Sequence, residues 1–153
     1  MSGAPTPNEY GKGFSFAILV RISSDKHLEK WADEQGISYQ ESWVKHNKES
    51  KKASEDELKQ AIINGYDLMI DRTNLTPEER KVYIDQLEGY DIYAVNFFVP
   101  ENTLIQRSEE RGRLPQEALL AQIQKFVPAS PDEGILEVKD INFDGDENKL
   151  SVI

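Results

Sequence analysis

Apolar residues in this chain alternate between continuous runs of strand length and stretches with helical spacing. Residues 14–20, Phe-Ser-Phe-Ala-Ile-Leu-Val, form one such run, as expected for a strand covered on both faces of a parallel sheet. Residues 27–35 read as a helix with Leu28, Trp31 and Ala32 on one face and Gly36 as its left-handed stop, and residues 37–39 read as a short second strand. The stretch 45–53 has no apolar residue except Ala53 and reads as an exposed loop or frayed helix. Ser54-Glu55-Asp56-Glu57 is a capping box, which predicts a helix start with Leu58, Ala61 and Ile62 inward and Gly65 at the end. Residues 66–70 give the next strand. A second capping box, Thr76 through Glu79 with Pro77 at the first helical position, predicts a helix with Val82, Ile84 and Leu87 inward, stopped at Gly89. Beyond it come a buried strand at 92–99 broken by Pro100, a helix at 101–111 ended by Gly112, a helix at 115–126 with Leu119, Ile123 and Phe126 on one face, and a last strand at 135–141.

The repeated βα order with short connections predicts an α/β fold, a parallel sheet of about four to five strands flanked by helices. The fold occupies residues 14–142, between a mobile N-terminal tail at 1–13 and an acidic C-terminal tail at 143–153. A chain of 153 residues with 38% hydrophobic content suits one domain with a real core. Its net charge of -10 repels polyphosphate backbones and anionic membranes at long range, so any nucleic-acid site must be a local basic patch. The absence of cysteine removes disulfides, thiolate metal sites and cysteine nucleophiles, and suits a reducing, cytoplasmic setting. No apolar stretch is long enough to span a bilayer.

The chemistry concentrates at Asp71-Arg72-Thr73-Asn74-Leu75-Thr76, a polar run at the carboxyl end of a strand, where an α/β protein carries its working loop. Arg107 and Arg111 stand four apart on one helix face and Arg113 follows. Planar guanidinium groups match phosphate oxygens by paired hydrogen bonds; the competing reading pairs these arginines with Glu109, Glu110 or other carboxylates. Asp140-Ile141-Asn142-Phe143-Asp144-Gly145 matches half of a calcium loop, but Ser151 stands where the bidentate glutamate belongs. Asn74-Leu75-Thr76 is a formal glycosylation sequon without a secretory context. His27 and His46 lack zinc-ligand spacing, and Trp31 and Trp43 read as packing residues.

Residues 66–138 resemble the P-loop kinase family that includes the phage-type polynucleotide kinases. The matching pieces are residues 68–80, Leu-Met-Ile-Asp-Arg-Thr-Asn-Leu-Thr-Pro-Glu-Glu-Arg, residues 97–100, Phe-Phe-Val-Pro, residues 107–115, Arg-Ser-Glu-Glu-Arg-Gly-Arg-Leu-Pro, and residues 125–134, Lys-Phe-Val-Pro-Ala-Ser-Pro-Asp-Glu-Gly. The resemblance implies that Asp71, Thr73 and Asn74 face a phosphate site and that Arg107, Arg111 and Arg113 belong to a lid. It also implies a phosphate loop after the first strand, of the pattern Gly, four residues, Gly, Lys, Ser or Thr. With Lys26 on the lysine, Val20 and Asp25 fall on the two glycines and His27 on the magnesium-holding hydroxyl. Valine cannot adopt the backbone that glycine supplies, and Asp25 adds negative charge beside a phosphate. Glu41 is the one candidate for the carboxylate that takes the substrate proton, and it matches poorly, reading better as a surface glutamate.

The expectation is therefore a kinase-like pseudoenzyme of phage type with no catalytic residue, metal or cofactor of its own, acting as a protein-binding or inhibitory effector. Its acidic surface suits a partner with a basic surface, such as a host enzyme. The alternative is an active, divergent ATP-dependent nucleotide or polynucleotide 5'-hydroxyl kinase using Lys26, the lid arginines, Mg-ATP and a nucleic-acid substrate.

Overall fold

The computed structural model describes residues 18–143 and the backbone of 150–152. The chain divides into two compact units, Met1–Arg72 and Thr73–Ile153. The first contains β1 (Leu19–Ile22), α1 (Ser24–Gln35), α2 (Tyr39–Ile63) and β2 (Asp67–Ile70). Strands β1 and β2 pair in parallel with Arg21 opposite Met69 and Ile22 opposite Ile70. Residues 14–17 of the first apolar run lie outside the described residues. The strand itself continues two positions beyond Val20, because Arg21 turns to solvent and Ile22 is fully buried. Ser23 alone then separates β1 from α1.

The largest departure from the sequence pattern is α2. Residues 37–39 do not form a strand and 45–53 do not form a loop; one helix of 25 residues runs from Tyr39 to Ile63. Ser38 opens it through a capping box in which its hydroxyl accepts from Glu41 N–H and the Glu41 carboxylate accepts from Ser38 N–H. Neither glycine nor proline interrupts the chain between Ile37 and Asn64. Ser54 to Glu57 lies inside this helix and starts nothing. Its buried stripe was unreadable as hydrophobic periodicity because Ser42, Ser50 and Ser54 take core positions before Leu58 and Ala61. Ser42 stays satisfied by donating to the Leu28 carbonyl of α1, 2.8 Å away.

The second unit carries α3 (Pro77–Ile84), β3 (Tyr93–Phe98), α4 (Glu101–Arg111), α5 (Gln116–Lys125), a 3-10 turn at Pro131–Glu133, β4 (Glu137–Phe143) and β5 (Leu150–Val152). Strand β3 pairs parallel with β4, and β5 pairs antiparallel with β4, inside the segment expected to be a tail. Among the described residues five strands thus form a two-stranded and a three-stranded sheet. Leu87, Ala129, Ile135 and Phe143 are buried here together with the polar Arg80 and Asn96. Helix α3 ends at Ile84, short of Gly89, and Val82 is 60% exposed where the pattern placed it inward. Strand β3 is not buried on both faces either, since Tyr93, Val95 and Phe97 are exposed. Gly36 and Gly112 end α1 and α4 in the left-handed region, at φ 64° and 62°, as their positions predict.

Candidate functional site

In the first unit the carboxyl ends of β1 and β2 carry a closed chain of charges. Asp71 follows β2, and its N–H donates to the Ile22 carbonyl, continuing the ladder past both strands. Its carboxylate accepts from Arg21 Nε at 2.6 Å. Lys26 sits in the first turn of α1 and sends its ammonium to the Arg21 carbonyl at 2.5 Å and to Glu57 Oε2 of α2 at 2.6 Å. The other Glu57 oxygen lies against His27 Nε2, close enough to pair but poorly aligned for a hydrogen bond. Two cations and two carboxylates are therefore matched, through side chains of the unit itself. Asp25, in the same turn, accepts from the Tyr39 hydroxyl at 2.8 Å. The His27 ring packs on Trp31, which in turn meets His46 edge-on, with centroids 5.7 and 5.3 Å apart. Trp31 is a packing residue, whereas Trp43 is 51% exposed and is not.

In the second unit the start of α3 is held from three sides. Asn74 adopts φ 47°, a left-handed conformation that asparagine tolerates better than most residues. Its carbonyl accepts from Arg80 Nη1 at 2.8 Å. Thr76 caps the helix by accepting from Glu79 N–H, but the reciprocal half of the expected box goes elsewhere: Glu79 accepts from the Leu75 N–H at 3.0 Å and pairs with Lys125. The Lys125 hydrogen bond holds the Glu79 carboxyl below its ordinary range, against the opposing effect of burial and with help from Leu75 N–H. Arg80 reaches across to the Val127 carbonyl at 2.9 Å and forms a two-pronged pair with Glu133 at 2.8 and 3.0 Å. Thr73 is exposed ahead of this clamp.

Arg107 and Arg111 both lie on α4, and both are exposed. The Arg107 guanidinium is stacked 4.4 Å from the centre of the Phe143 ring, which takes one of its faces. Arg111 occupies the last turn, where its charge complements the helix carboxyl end, and Arg113 is half-buried beyond Gly112. Glu41 is engaged in capping α2, as a surface glutamate would be. Asp140 and Asn142 lie within β4, and Asp140 accepts from the Asn96 side chain at 2.9 Å. A cleft of about 330 Å³ beside α3 sets Glu78, Asp85, Asp132 and Glu133 against Lys81, a lining that disfavours anions. Among the described residues no group of three or more histidines and carboxylates is placed to hold a metal ion.

Compared with known families, the family described as an AAA domain matches residues 11–129, more than half of the chain. The chain belongs to this family. It is a P-loop NTPase-like kinase family. No curated protein and no solved structure matches the chain. The AAA-domain match begins ahead of β1 and ends at Ala129, so it takes in Lys26, Asp71 and the three arginines and leaves β4 and β5 outside. At the ends of β1 and β2 two residues escaped sequence reasoning. Arg21 follows the apolar run 14–20 that marks the strand, and Glu57 looked like part of a helix cap. A continuous α2 is the one signal that would have brought Glu57 to Lys26, and serines concealed it. No helix among the described residues is long and apolar enough to cross a membrane.

Proposed function

We propose that this chain is a kinase-like pseudoenzyme, a P-loop relative that binds protein rather than transferring phosphate. The observation that carries the reading is the site at the ends of β1 and β2. A phosphate cradle needs several consecutive backbone N–H groups wrapped around the anion, and a single residue, Ser23, connects β1 to α1. Lys26 has the position of a phosphate-binding lysine, but Glu57 and the Arg21 carbonyl take its hydrogen bonds. Asp71 has the position of a magnesium-side carboxylate, but Arg21 occupies it. His27 brings no hydroxyl. The residues present do not fit a polyphosphate with its magnesium ion, and no phosphoryl-transfer step is assigned to them. Thr73, Asn74, Arg107, Arg111 and Arg113 are then remnants of a site, and the phage-type polynucleotide kinases are the branch that their motifs resemble.

Isothermal titration with Mg-ATP tests this. No saturable heat and no rise in melting temperature are expected at millimolar nucleotide, whereas a native-state ligand at a hundredfold excess over Kd stabilises by about 2.7 kcal/mol. One-to-one binding in the micromolar range would sink the proposal. The divergent-kinase alternative draws on the survival of Lys26 in the first turn of α1. It requires phosphorylation of a 5'-hydroxyl oligonucleotide that Lys26→Ala abolishes.

A further inference from the structure

Strand β3 alternates along its length. Asn96 is buried between half-buried Ala94 and Phe98, and on the opposite face Tyr93, Val95 and Phe97 are exposed at 62%, 49% and 59%. The parallel register sets residues of β4 beside them, Glu137 by Tyr93, Lys139 by Val95 and Ile141 by Phe97. Paired residues of neighbouring strands point to the same side, so these six form one outer face of the sheet, with Ile141 half-buried. Aromatic side chains cover roughly 150–250 Å² each, and more than half of the surface of Tyr93 and Phe97 is open. A row of two rings and a valine differs from the single apolar residues that any surface carries. The charges on the face cancel, since Glu137 and Lys139 are both about half exposed and pair with each other at 3.0 Å. Asp91 precedes the strand, at the rim of the face.

We infer that this face is the interface of a two-fold symmetric dimer, its occupant a second copy of the chain. Charge argues for a copy over an unlike partner. Each chain carries a net charge of -10, so two copies repel wherever acidic surfaces meet and approach closely only across a neutral face. A basic partner gains nothing from that neutrality and is drawn to the acidic surfaces instead. The face is also complementary to itself. Sheets stack face to face about 10 Å apart, with strand directions within about 30°. A two-fold axis running along the strands, between β3 and β4, lays β3 of one copy over β4 of the other, level by level. Phe97 then meets Ile141 of the second copy, Val95 meets the aliphatic stem of Lys139 of the second copy, and the Tyr93 hydroxyl donates to Glu137 of the second copy. The symmetry makes each contact twice. Six residues fall short of the about 20–30 per side in a standard interface, so the dimer is weak and depends on concentration.

The inference is independent of the pseudoenzyme reading, which nucleotide titration tests separately. Sedimentation equilibrium of the full chain measures it. A monomer–dimer equilibrium with a dissociation constant of about 10–100 µM is expected. It tightens as salt rises, because screening relieves the repulsion between like-charged copies and leaves apolar contact intact. Phe97→Glu is expected to weaken association about tenfold or more and Phe97→Ser several-fold, whereas Val44→Ser, at an exposed apolar residue of α2, leaves it unchanged. Tyr93→Phe weakens association in the wild-type chain and has no effect once Glu137 is replaced by alanine, since both changes remove the same hydrogen bond. Circular dichroism checks the fold of each variant. The inference is overturned by a chain that stays monomeric at about 500 µM, by unchanged association in folded Phe97→Glu or Phe97→Ser, by a dimer that loosens as salt rises, or by growth past the dimer, which a closed two-fold forbids.

Discussion

Arg80→Ala is expected to destabilise the second unit by about 3–5 kcal/mol, the range for removing one partner of a buried pair. Arg80 is only 8% exposed, and its guanidinium satisfies the Asn74 carbonyl, the Val127 carbonyl and both oxygens of Glu133. Truncation takes the Arg80 donor from two carbonyls and leaves a nearly buried carboxylate with the Ser130 N–H but no cation. Arg80→Lys is expected to recover little, because one ammonium cannot reproduce the planar fork. Urea unfolding at neutral pH measures both variants, and a loss under about 1 kcal/mol for alanine would show the clamp to be dispensable. The same contacts set a pH dependence. The Arg80 hydrogen bonds, aided by Ser130 N–H and opposed by burial, hold the Glu133 carboxyl below its ordinary value of 4.5. A depressed folded value means that the stabilisation is complete above about pH 4.5 and is lost as pH falls through the folded value. Wild-type stability should therefore decline in acid more steeply than that of Arg80→Ala.

Asn96→Ala is expected to cost about 2–4 kcal/mol, since each buried group left unpaired costs about 1–3 kcal/mol. Asn96 lies in β3 at 6% exposure and makes three hydrogen bonds. Its amide donates to the Ala129 carbonyl at 3.1 Å and to Asp140 at 2.9 Å, and its oxygen accepts from Ala129 N–H at 2.9 Å. One side chain thereby ties β3 to β4 and to the segment entering the 3-10 turn. Asn96→Asp is the sharper variant, because it keeps the acceptor, loses both donations and sets a second carboxylate beside Asp140. Hydrogen exchange should report the Ala129 amide as newly unprotected in Asn96→Ala. Retained protection there would mean that another group replaces the asparagine.

The elements that were legible in the sequence are those that local chemistry specifies. Gly36 and Gly112 announce the ends of α1 and α4, Thr76 and Pro77 announce the start of α3, and Pro100 separates β3 from α4. What stayed hidden depends on partners far along the chain. Lys26 and Glu57 are 31 residues apart, and Arg80 and Glu133 are 53 apart; no motif relates either pair. Asn96 sits in a run that reads as plain apolar strand, where its polarity gives no hint of a three-bond junction. The candidate site shows the same division. The address at Asp71 to Thr76 could be read, but the neutralisation of Asp71 by Arg21 depends on β1 reaching Ile22, two residues past the end of its apolar run.

The one-residue link at Ser23 bears on what substitution can change here. The interval from Val20 to Lys26 already has the length of the phosphate-loop pattern, so opening it needs no insertion, but β1 pairing through Ile22 and α1 starting at Ser24 hold most of it in regular structure. A change at Val20 or Asp25 alone would loosen one end of that interval and leave Lys26 on Glu57 and Asp71 on Arg21. Several changes would have to act together before the connection widened with both charged groups released.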